Sequence, residues 1–365
     1  MHARTGFRVG LPLALLAVAG SVSVGACAPD GDSGARSAAP PKLHHVLLNS
    51  VNPEAATQWY LRVWPSAHRT EVAGYPAVEG NMYLLFNRVD SPPPGAWNDE
   101  LHRSEPQSAF WHIGANTNTT NMREGLAAMD VTHLPLFTSA DDAQGVWRSG
   151  LVPYRGSLTV AQLAEAEVAE EREGGFSYVV GPDGVLFELS GGPQTRDSFA
   201  HVHLYHDQPR CAANWYVTHL RMELPPVRDD DTGGESPRAP YDPCAAEYGE
   251  PSWPSTEPGG TIRRPRGTVR HGNGSISFYP RQCVDGRCGE DQPLVASRGQ
   301  VLDHVAFTID DLDSWLARLR RERVTILEEP HRFGESMAFM IEGPDHLAIE
   351  LVEAGGAPVP PSPTP

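Results

Sequence analysis

One short pattern occurs twice in the chain and limits what the sequence can fold into. Residues 181–189 and 343–351 each begin with a Gly-Pro-Asp turn and continue as a run of apolar residues with one acid. The acids, Glu188 and Glu350, both lie seven residues after the glycine. A turn followed by such a run predicts a short strand with a buried face. A buried carboxylate needs a cation or a hydrogen-bonding partner, so each glutamate is expected to meet one.

The N-terminal residues have the pattern of an export signal. Arg4 and Arg8 precede an apolar run over residues 11–24, which is too short for a stable membrane span. The run ends at Cys27 in a sequence that resembles the bacterial lipoprotein signal. That resemblance implies removal of residues 1–26 and a lipid on Cys27, with ordinary secretory cleavage as the alternative. We therefore expect a lipid-anchored protein of the bacterial cell envelope, outside the cytoplasm.

Net charge limits the classes of partner. Without Arg4 and Arg8 the chain has 27 basic and 46 acidic residues, a formal charge of −19. Such a field repels nucleic acid, so no nucleic-acid partner is expected. The sequence has no further apolar run of spanning length, and the predicted membrane contact is the lipid alone.

The remaining cysteines predict disulfides. Cys211, Cys244, Cys283 and Cys288 form an even set, which in an exported chain indicates two bonds. Three pairings are open, and we favour Cys211–Cys244 with Cys283–Cys288. A zinc site made of all four cysteines is the alternative, although no two of them have the two-residue spacing common in zinc knuckles.

Four places in the chain have a histidine followed by Val or Ile at the start of an apolar strand. They are His45, His112, His201 and His304. The first and third are near copies, since each is followed by Pro at plus eight and by Trp-Tyr at plus fourteen. Strand, turn, helix and further strands follow each histidine, so the simplest organisation is four βαβββ modules.

These modules predict an α+β protein of two domains. A flexible linker is expected over residues 27–42, a first domain over 43–195 and a second over 196–354. The second domain contains a Pro- and Gly-rich insertion at 224–266, and a disordered tail is expected over 355–365.

The histidines and the two glutamates predict metal centres. Within each predicted domain the set is two imidazoles and one carboxylate, which leaves positions on a divalent ion open for substrate. The expected trios are His45, His112 and Glu188, and then His201, His304 and Glu350. The alternative is that these are structural histidines. His203 lies on the same strand face as His201, so it is a candidate substitute ligand or acid/base group.

Paired βαβββ modules with strand-initial histidines and a terminal glutamate strand resemble the vicinal oxygen chelate superfamily. That superfamily includes glyoxalase I, extradiol dioxygenases and bleomycin-resistance proteins. Residues 178–188 are similar to the extradiol dioxygenase signature, which implies that Tyr178 donates a hydrogen bond to a hydroxylated substrate. The signature also expects a histidine upstream, where this chain has Glu170, Glu171 and Arg172. In the second domain Met340 takes the place of the tyrosine.

The resemblance implies a metal-dependent enzyme acting on a small oxygenated substrate, of which a catechol is one candidate. Fe²⁺ is the favoured ion, with Mn²⁺, Zn²⁺ and Ni²⁺ as alternatives. Glyoxalase-type isomerisation is the second choice, because the strand closing the first module offers Leu85, Phe86 and Asn87 where a carboxylate ligand is expected. The rival hypotheses are a non-catalytic envelope protein that sequesters a ligand, and one active domain beside a degenerate one.

Overall fold

The two halves of the chain interleave in the fold. The structure is a computed structural model, and it describes residues 40–117, 122–131, 133–136, 175–191, 196–228, 234–246, 248–249, 256, 265–282 and 292–355. All of them fall in one compact unit, Ala39–Pro365. No helix among these residues is long and apolar enough to cross a membrane. The signal peptide, Cys27, Cys283, Cys288, residues 170–172 and most of the predicted tail lie outside the described residues.

The secondary structure is dominated by strands. The helices are α1 (Pro53–Val63), α2 (Met122–Ala128), α3 (Pro209–Leu220) and α4 (Leu312–Arg321). The strands are β1 (Lys42–Ser50), β2 (His68–Val72), β3 (Tyr75–Glu79), β4 (Tyr83–Arg88), β5 (Ala96–Asn98), β6 (Arg103–Glu105), β7 (Phe110–Thr117), β8 (Gly175–Val180), β9 (Leu186–Gly191), β10 (Ser198–His206), β11 (Val227–Arg228), β12 (Glu235–Ser236), β13 (Tyr248–Gly249), β14 (Gly267–His271), β15 (Gly274–Gln282), β16 (Leu302–Ile309), β17 (Ile326–Phe333), β18 (Ser336–Glu342) and β19 (Ala348–Glu353). The predicted α+β class is confirmed.

Sheet A joins the first module to the last. Its eight strands have the order β17-β18-β19-β16-β1-β4-β3-β2. At its centre β1 pairs antiparallel with β16, and Val46 lies opposite Val305. On either side β4 runs parallel to β1 and β19 runs parallel to β16. The sheet is therefore nearly symmetric about the β1–β16 pair, although its two halves come from opposite ends of the chain.

Sheet B joins the second and third modules in the same way. Its seven described strands have the order β13-β15-β10-β7-β9-β8, with β14 paired to β15. The central pair is again antiparallel, and Ile113 on β7 lies opposite Val202 on β10. The first and fourth modules show the complete βαβββ order, whereas the described part of the second shows one strand, a helix and two strands. Each sheet takes strands from both predicted domains, and the boundary at residue 195 stays a prediction.

Side chains along the central strands alternate between the apolar core and the face that carries the predicted metal ligands. Val46, Ile113, Val202 and Val305 are all buried in one apolar cluster that both sheets share. The neighbouring histidine on each strand faces the other way, into the concave side of its own sheet, because successive side chains point to opposite faces. The helices cover the shared core with faces such as Tyr60 of α1, which is fully buried.

The two Gly-Pro-Asp turns connect modules. Asp183 and Asp345 both adopt a left-handed conformation, with φ of 58° and 54°. Asn and Asp tolerate this region better than most residues do. The Asp183 carboxylate accepts a hydrogen bond from the backbone of Val51, and that of Asp345 lies 2.7 Å from His206 Nδ1. The second turn extends through His346, so the last strand begins at Ala348.

Two asparagines hold the sheets to each other. Asn273, in the turn before β15, accepts from the Leu43 backbone N–H at 2.7 Å and donates to its carbonyl at 2.9 Å. Asn81, in the turn before β4, makes the same pair of bonds to Phe199 at 2.7 and 3.1 Å. We call each pair of bonds a clamp, and each clamp joins a turn of one sheet to a central strand of the other.

The disulfide Cys211–Cys244 is confirmed, with Cα atoms 5.1 Å apart. It ties the start of α3 to the predicted insertion at 224–266. Asn214 strengthens that attachment, because its side chain bonds both the N–H and the carbonyl of Tyr241.

Replacing either clamp asparagine should destabilise the whole protein. We expect Asn81→Ala or Asn273→Ala to lower the free energy of unfolding by about 1–3 kcal/mol, because two buried backbone groups each lose a partner. Urea denaturation of the mature chain measures the change, and Gln58→Ala on the exposed side of α1 is the control. A clamp variant as stable as this control would contradict the role of the asparagines.

His271 should contribute to acid sensitivity. Burial lowers its pKa to about 4, although Asn273 partly offsets the effect by a hydrogen bond. In this pH range His271 is protonated in the unfolded chain but neutral in the native state. Stability is therefore lost as the pH falls from about 6.5 toward 4. We expect His271→Gln to remove about 2 kcal/mol of the stability difference between pH 7 and pH 5. Urea denaturation at both values tests this, with His68→Gln as the exposed control.

Candidate metal centres

Centre A consists of His45, His304 and Glu350 on the concave side of sheet A. The Nε2 atoms of His45 and His304 are 3.2 Å apart. Glu350 Oε2 lies 3.3 Å from the first and 3.7 Å from the second. Two ligands bonded to one cation at about 2.1 Å come to lie roughly 3 to 3.5 Å apart. All three side chains are buried, and their donor atoms converge on one point.

Each member of centre A is fixed by an outer partner. His44 Nδ1 lies 2.8 Å from His45 Nδ1, and Asp303 Oδ1 lies 2.7 Å from His304 Nδ1. His331 Nε2 lies 3.0 Å from Glu350 Oε1, the oxygen that faces away from the other two donors. Such contacts set the ring orientation and leave Nε2 directed at the centre, as they do around bound metals.

The pKa values of the residues in centre A are shifted because these groups lie close together. Burial by itself would lower the pKa of His304, but the carboxylates of Asp303 and Glu350 outweigh it and raise that pKa to about 9. Burial favours a raised pKa for Glu350 too, but the imidazoles of His304 and His331 hold it well below its usual value. Burial lowers the pKa of His44 to about 4, so this ring is neutral and can accept the Nδ1 proton of His45.

The donor set fits a divalent cation. Glu350 Oε2 is buried and makes no hydrogen bond to any described residue, although two imidazole nitrogens lie within 4 Å of it. An oxygen in this position is costly unless a cation satisfies it. Two histidines and one carboxylate are a ligand set used for Fe²⁺ and related ions.

A cavity of about 220 Å³ adjoins centre A. His304, Glu350 and His331 form part of its wall, together with Tyr75 and Arg298. The Arg298 guanidinium is half-exposed and pairs with Glu328 at 3.0 Å. The cavity is therefore small and rich in hydrogen-bonding groups, and two members of the trio, His304 and Glu350, form part of its wall.

Centre B consists of His112, Glu188, His201 and His203 on the concave side of sheet B. His112 Nε2 lies 3.2 Å from His201 Nε2, 3.0 Å from His203 Nδ1 and 3.2 Å from Glu188 Oε2. Burial would raise the pKa of Glu188, but His201 and His112 outweigh it and lower that pKa to about 2. Ser190 donates to Glu188 Oε1 at 2.8 Å, the role that His331 has in centre A.

Tyr178 lies in the wall of centre B. It pairs with Glu188 across β8 and β9, and its ring centroid is 5.1 Å from that of His112. In sheet A the matching position opposite Glu350 is Met340, as the sequence predicted. The structure thus places both predicted catalytic residues, Tyr178 and His203, at centre B, and their catalytic roles stay predictions.

All six predicted ligands take part in the two centres, but the predicted grouping is wrong. Glu188 was expected beside His45 and His112, yet it meets His112 and His201. Glu350 was expected beside His201 and His304, yet it meets His304 and His45. The reason is the strand pairing, since β1 pairs with β16 and β7 with β10. Each centre therefore draws its ligands from both predicted domains.

The outer partners were not predicted from the sequence, and His331 is the most important of them. The dioxygenase signature expects a histidine upstream of the tyrosine position, and none lies at residues 170–172 before Tyr178. In the fourth module a histidine does lie upstream of the matching position, since His331 precedes Met340 by nine residues, so a signal was available there. Asp303 and Ser190 lie next to or two residues from a ligand, but nothing in their spacing distinguishes them from other polar residues.

Paired substitutions can test the grouping. We expect His45→Ala with Glu350→Gln to cost the protein one bound divalent ion, because both changes fall in centre A. His45→Ala with Glu188→Gln should cost both ions, because each centre loses a ligand. Elemental analysis after dialysis against Zn²⁺ gives the stoichiometry. The opposite pattern would mean that the ligands group as the sequence alone suggested.

Comparison with known proteins agrees with the geometry. Residues 198–351 match the family model described as Glyoxalase/Bleomycin resistance protein/Dioxygenase superfamily. The comparison with curated protein sequences gives no match.

Two solved structures are similar over most of the chain. Glyoxalase I from Zea mays is 12% identical, with a TM-score of 0.48, and the match covers 86% of this chain and 92% of that one. The cppA protein from Streptococcus pneumoniae is 9% identical, with a TM-score of 0.40, and the match covers 86% and 99%. Both TM-scores are too low to support an argument about activity, so the sequence match carries the assignment. The match of residues 198–351 to the glyoxalase/bleomycin resistance protein/dioxygenase superfamily model confirms the predicted resemblance over that part of the chain.

Proposed function

We propose that the protein is a metal-dependent enzyme whose active site is centre A. The observation that carries the proposal is the buried trio of His45, His304 and Glu350, of which His304 and Glu350 line a polar cavity. We infer dioxygenase-type cleavage of a small oxygenated molecule, with both atoms of O₂ entering the product so that no external reductant is required. A catechol is the first substrate class to test.

No further His, Cys, Asp or Glu among the described residues brings a donor atom within 4.8 Å of all three donors of centre A. Leu47 and Leu85 pair across β1 and β4, at the position where Ala306 and Glu350 pair across β16 and β19. A divalent ion held by the trio would bind a substrate oxygen on the side next to the cavity and lower the pKa of its hydroxyl group. An isomerase of the glyoxalase type needs a carboxylate at the Leu85 position, so its absence there favours the dioxygenase.

The other residues around the cavity have separate roles in proton transfer, ligand orientation and substrate binding. His331 lines the cavity between two acceptors, with Nε2 3.0 Å from Glu350 Oε1 and Nδ1 3.1 Å from the Glu329 carbonyl oxygen. Both ring nitrogens therefore carry protons, and the imidazolium can give one to a substrate oxygen as a general acid. The carboxylate of Asp303 keeps the Nδ1 proton on His304 and leaves Nε2 for the ion. Arg298 and Tyr75 offer hydrogen bonds to the polar groups of the substrate. Phe333, stacked on His45 with centroids 5.2 Å apart, excludes water from that side.

We also propose that the enzyme works at the cell envelope, attached by a lipid on Cys27. The support is the sequence pattern over residues 4–27.

Oxygen consumption tests the activity. We expect the mature chain, loaded with Fe²⁺ under anaerobic conditions, to consume O₂ when catechols are added. His304→Ala and Glu350→Gln should lower the rate by at least about 100-fold, because each removes a ligand. His331→Asn should lower kcat more than it changes KM, by about 10²-fold, the lower end of the contribution of a general acid or base. His68→Gln, on the exposed edge strand β2, is the control.

Two results would contradict the proposal. Elemental analysis that finds no ion retained at centre A would remove the metal-dependent enzyme. Binding of catechols with stabilisation of the protein but no O₂ uptake would favour the rival sequestering protein.

A further inference from the structure

The two centres are built on the same plan, and one of the differences between them lies at a pair of positions beside the ligands. In each centre the glutamate lies across from a small residue, Glu350 from Ala306 and Glu188 from Gly114. The matching pair on the other half of sheet A is Leu47 with Leu85. On the other half of sheet B the matching pair is His203 on β10 with Ser277 on β15. One centre thus has two apolar side chains where the other has an imidazole and a hydroxyl.

His203 is oriented toward the other donors of centre B. Its Nδ1 lies 3.0 Å from His112 Nε2, and its ring stacks on that of His201 with centroids 3.9 Å apart. The four donor atoms of centre B, one from each residue, all lie within 4.8 Å of one another. Two histidines on one strand and a third on the antiparallel neighbour provide three nitrogens on the same face.

The neighbouring residues leave room for the donors of centre B. A Cβ atom at Gly114 would lie 2.6 Å from His201 Nε2 and 3.0 Å from the Glu188 carbonyl oxygen. Any larger residue at position 114 would therefore displace the His201 ring, one of the four donors. Ser277, beside His203 on β15, is small as well, whereas Leu85 fills the matching position in sheet A.

We propose that centre B is a four-ligand metal site in which His203 is the additional ligand, and that it holds a divalent first-row ion such as Zn²⁺ or Co²⁺ more tightly than centre A. Three imidazoles and a carboxylate are a ligand set suited to these ions. Centre A, with three ligands, keeps more positions open for substrate. The inference concerns centre B and does not depend on the activity proposed for centre A.

Titration with Co²⁺ tests the proposal, because its visible spectrum reports ligand number and geometry. The mature chain is used with His304→Ala, which retains centre B alone, and with His112→Ala, which retains centre A alone. We expect the protein with centre B alone to bind Co²⁺ at least about tenfold more tightly, the lower end of what even an outer partner contributes to a metal site. Equal or weaker binding at centre B overturns the proposal.

The role of His203 is tested in the His304→Ala background. His203→Ala and His203→Gln should each weaken Co²⁺ binding at least tenfold and change its visible spectrum, while His102→Ala should change neither. Circular dichroism shows whether each variant is folded. An unchanged affinity and spectrum in a folded His203 variant overturns the assignment. Loss of Co²⁺ binding in the protein with centre A alone would contradict the proposed function and leave the assignment of His203 intact.

Discussion

The structure depends on the partners of two buried carboxylates. Glu350 and Glu188 cannot remain ionised in sheet-lined cups unless imidazoles or a cation face them. In each cup one imidazole comes from the glutamate's own module, and the other comes from a module in the other half of the chain. The central antiparallel pairs, β1 with β16 and β7 with β10, bring these groups together. The centres therefore depend on the pairing of the strands, because a change of strand pairing would separate the ligands.

Interleaving also determines how the fold is held together. Consecutive modules contact each other through the Gly-Pro-Asp turns, where Asp183 reaches Val51 and Asp345 reaches His206. The sheets contact each other through the shared apolar core and the asparagine clamps at Asn81 and Asn273. Neither half of the sequence contains a complete sheet, so neither half contains a complete centre.

Duplication has left two cups with the same frame and different chemistry. Leu47 and Leu85 make one side of centre A apolar and without ligands, next to a cavity that holds His331. His203 and Ser277 make the matching side of centre B polar and fill it with a donor. Two side chains at equivalent register positions therefore distinguish the centres. Centre A keeps positions open for substrate, whereas centre B has an additional ligand with which to retain its ion.

The sequence by itself determined the α+β class, the first and fourth modules, the disulfide Cys211–Cys244 and the six residues that converge in the centres. Those features follow from local spacing: a strand alternates every second residue, and a Gly-Pro-Asp turn fixes where the glutamate strand begins. Only the tertiary structure decided which histidines meet which glutamate, and it also revealed His331 and Asp303. Strand partners are chosen across long distances in sequence, and four similar modules offer several pairings with the same local pattern. The packing of the shared core and the burial of both carboxylates select among those pairings, and neither can be read from spacing along the chain.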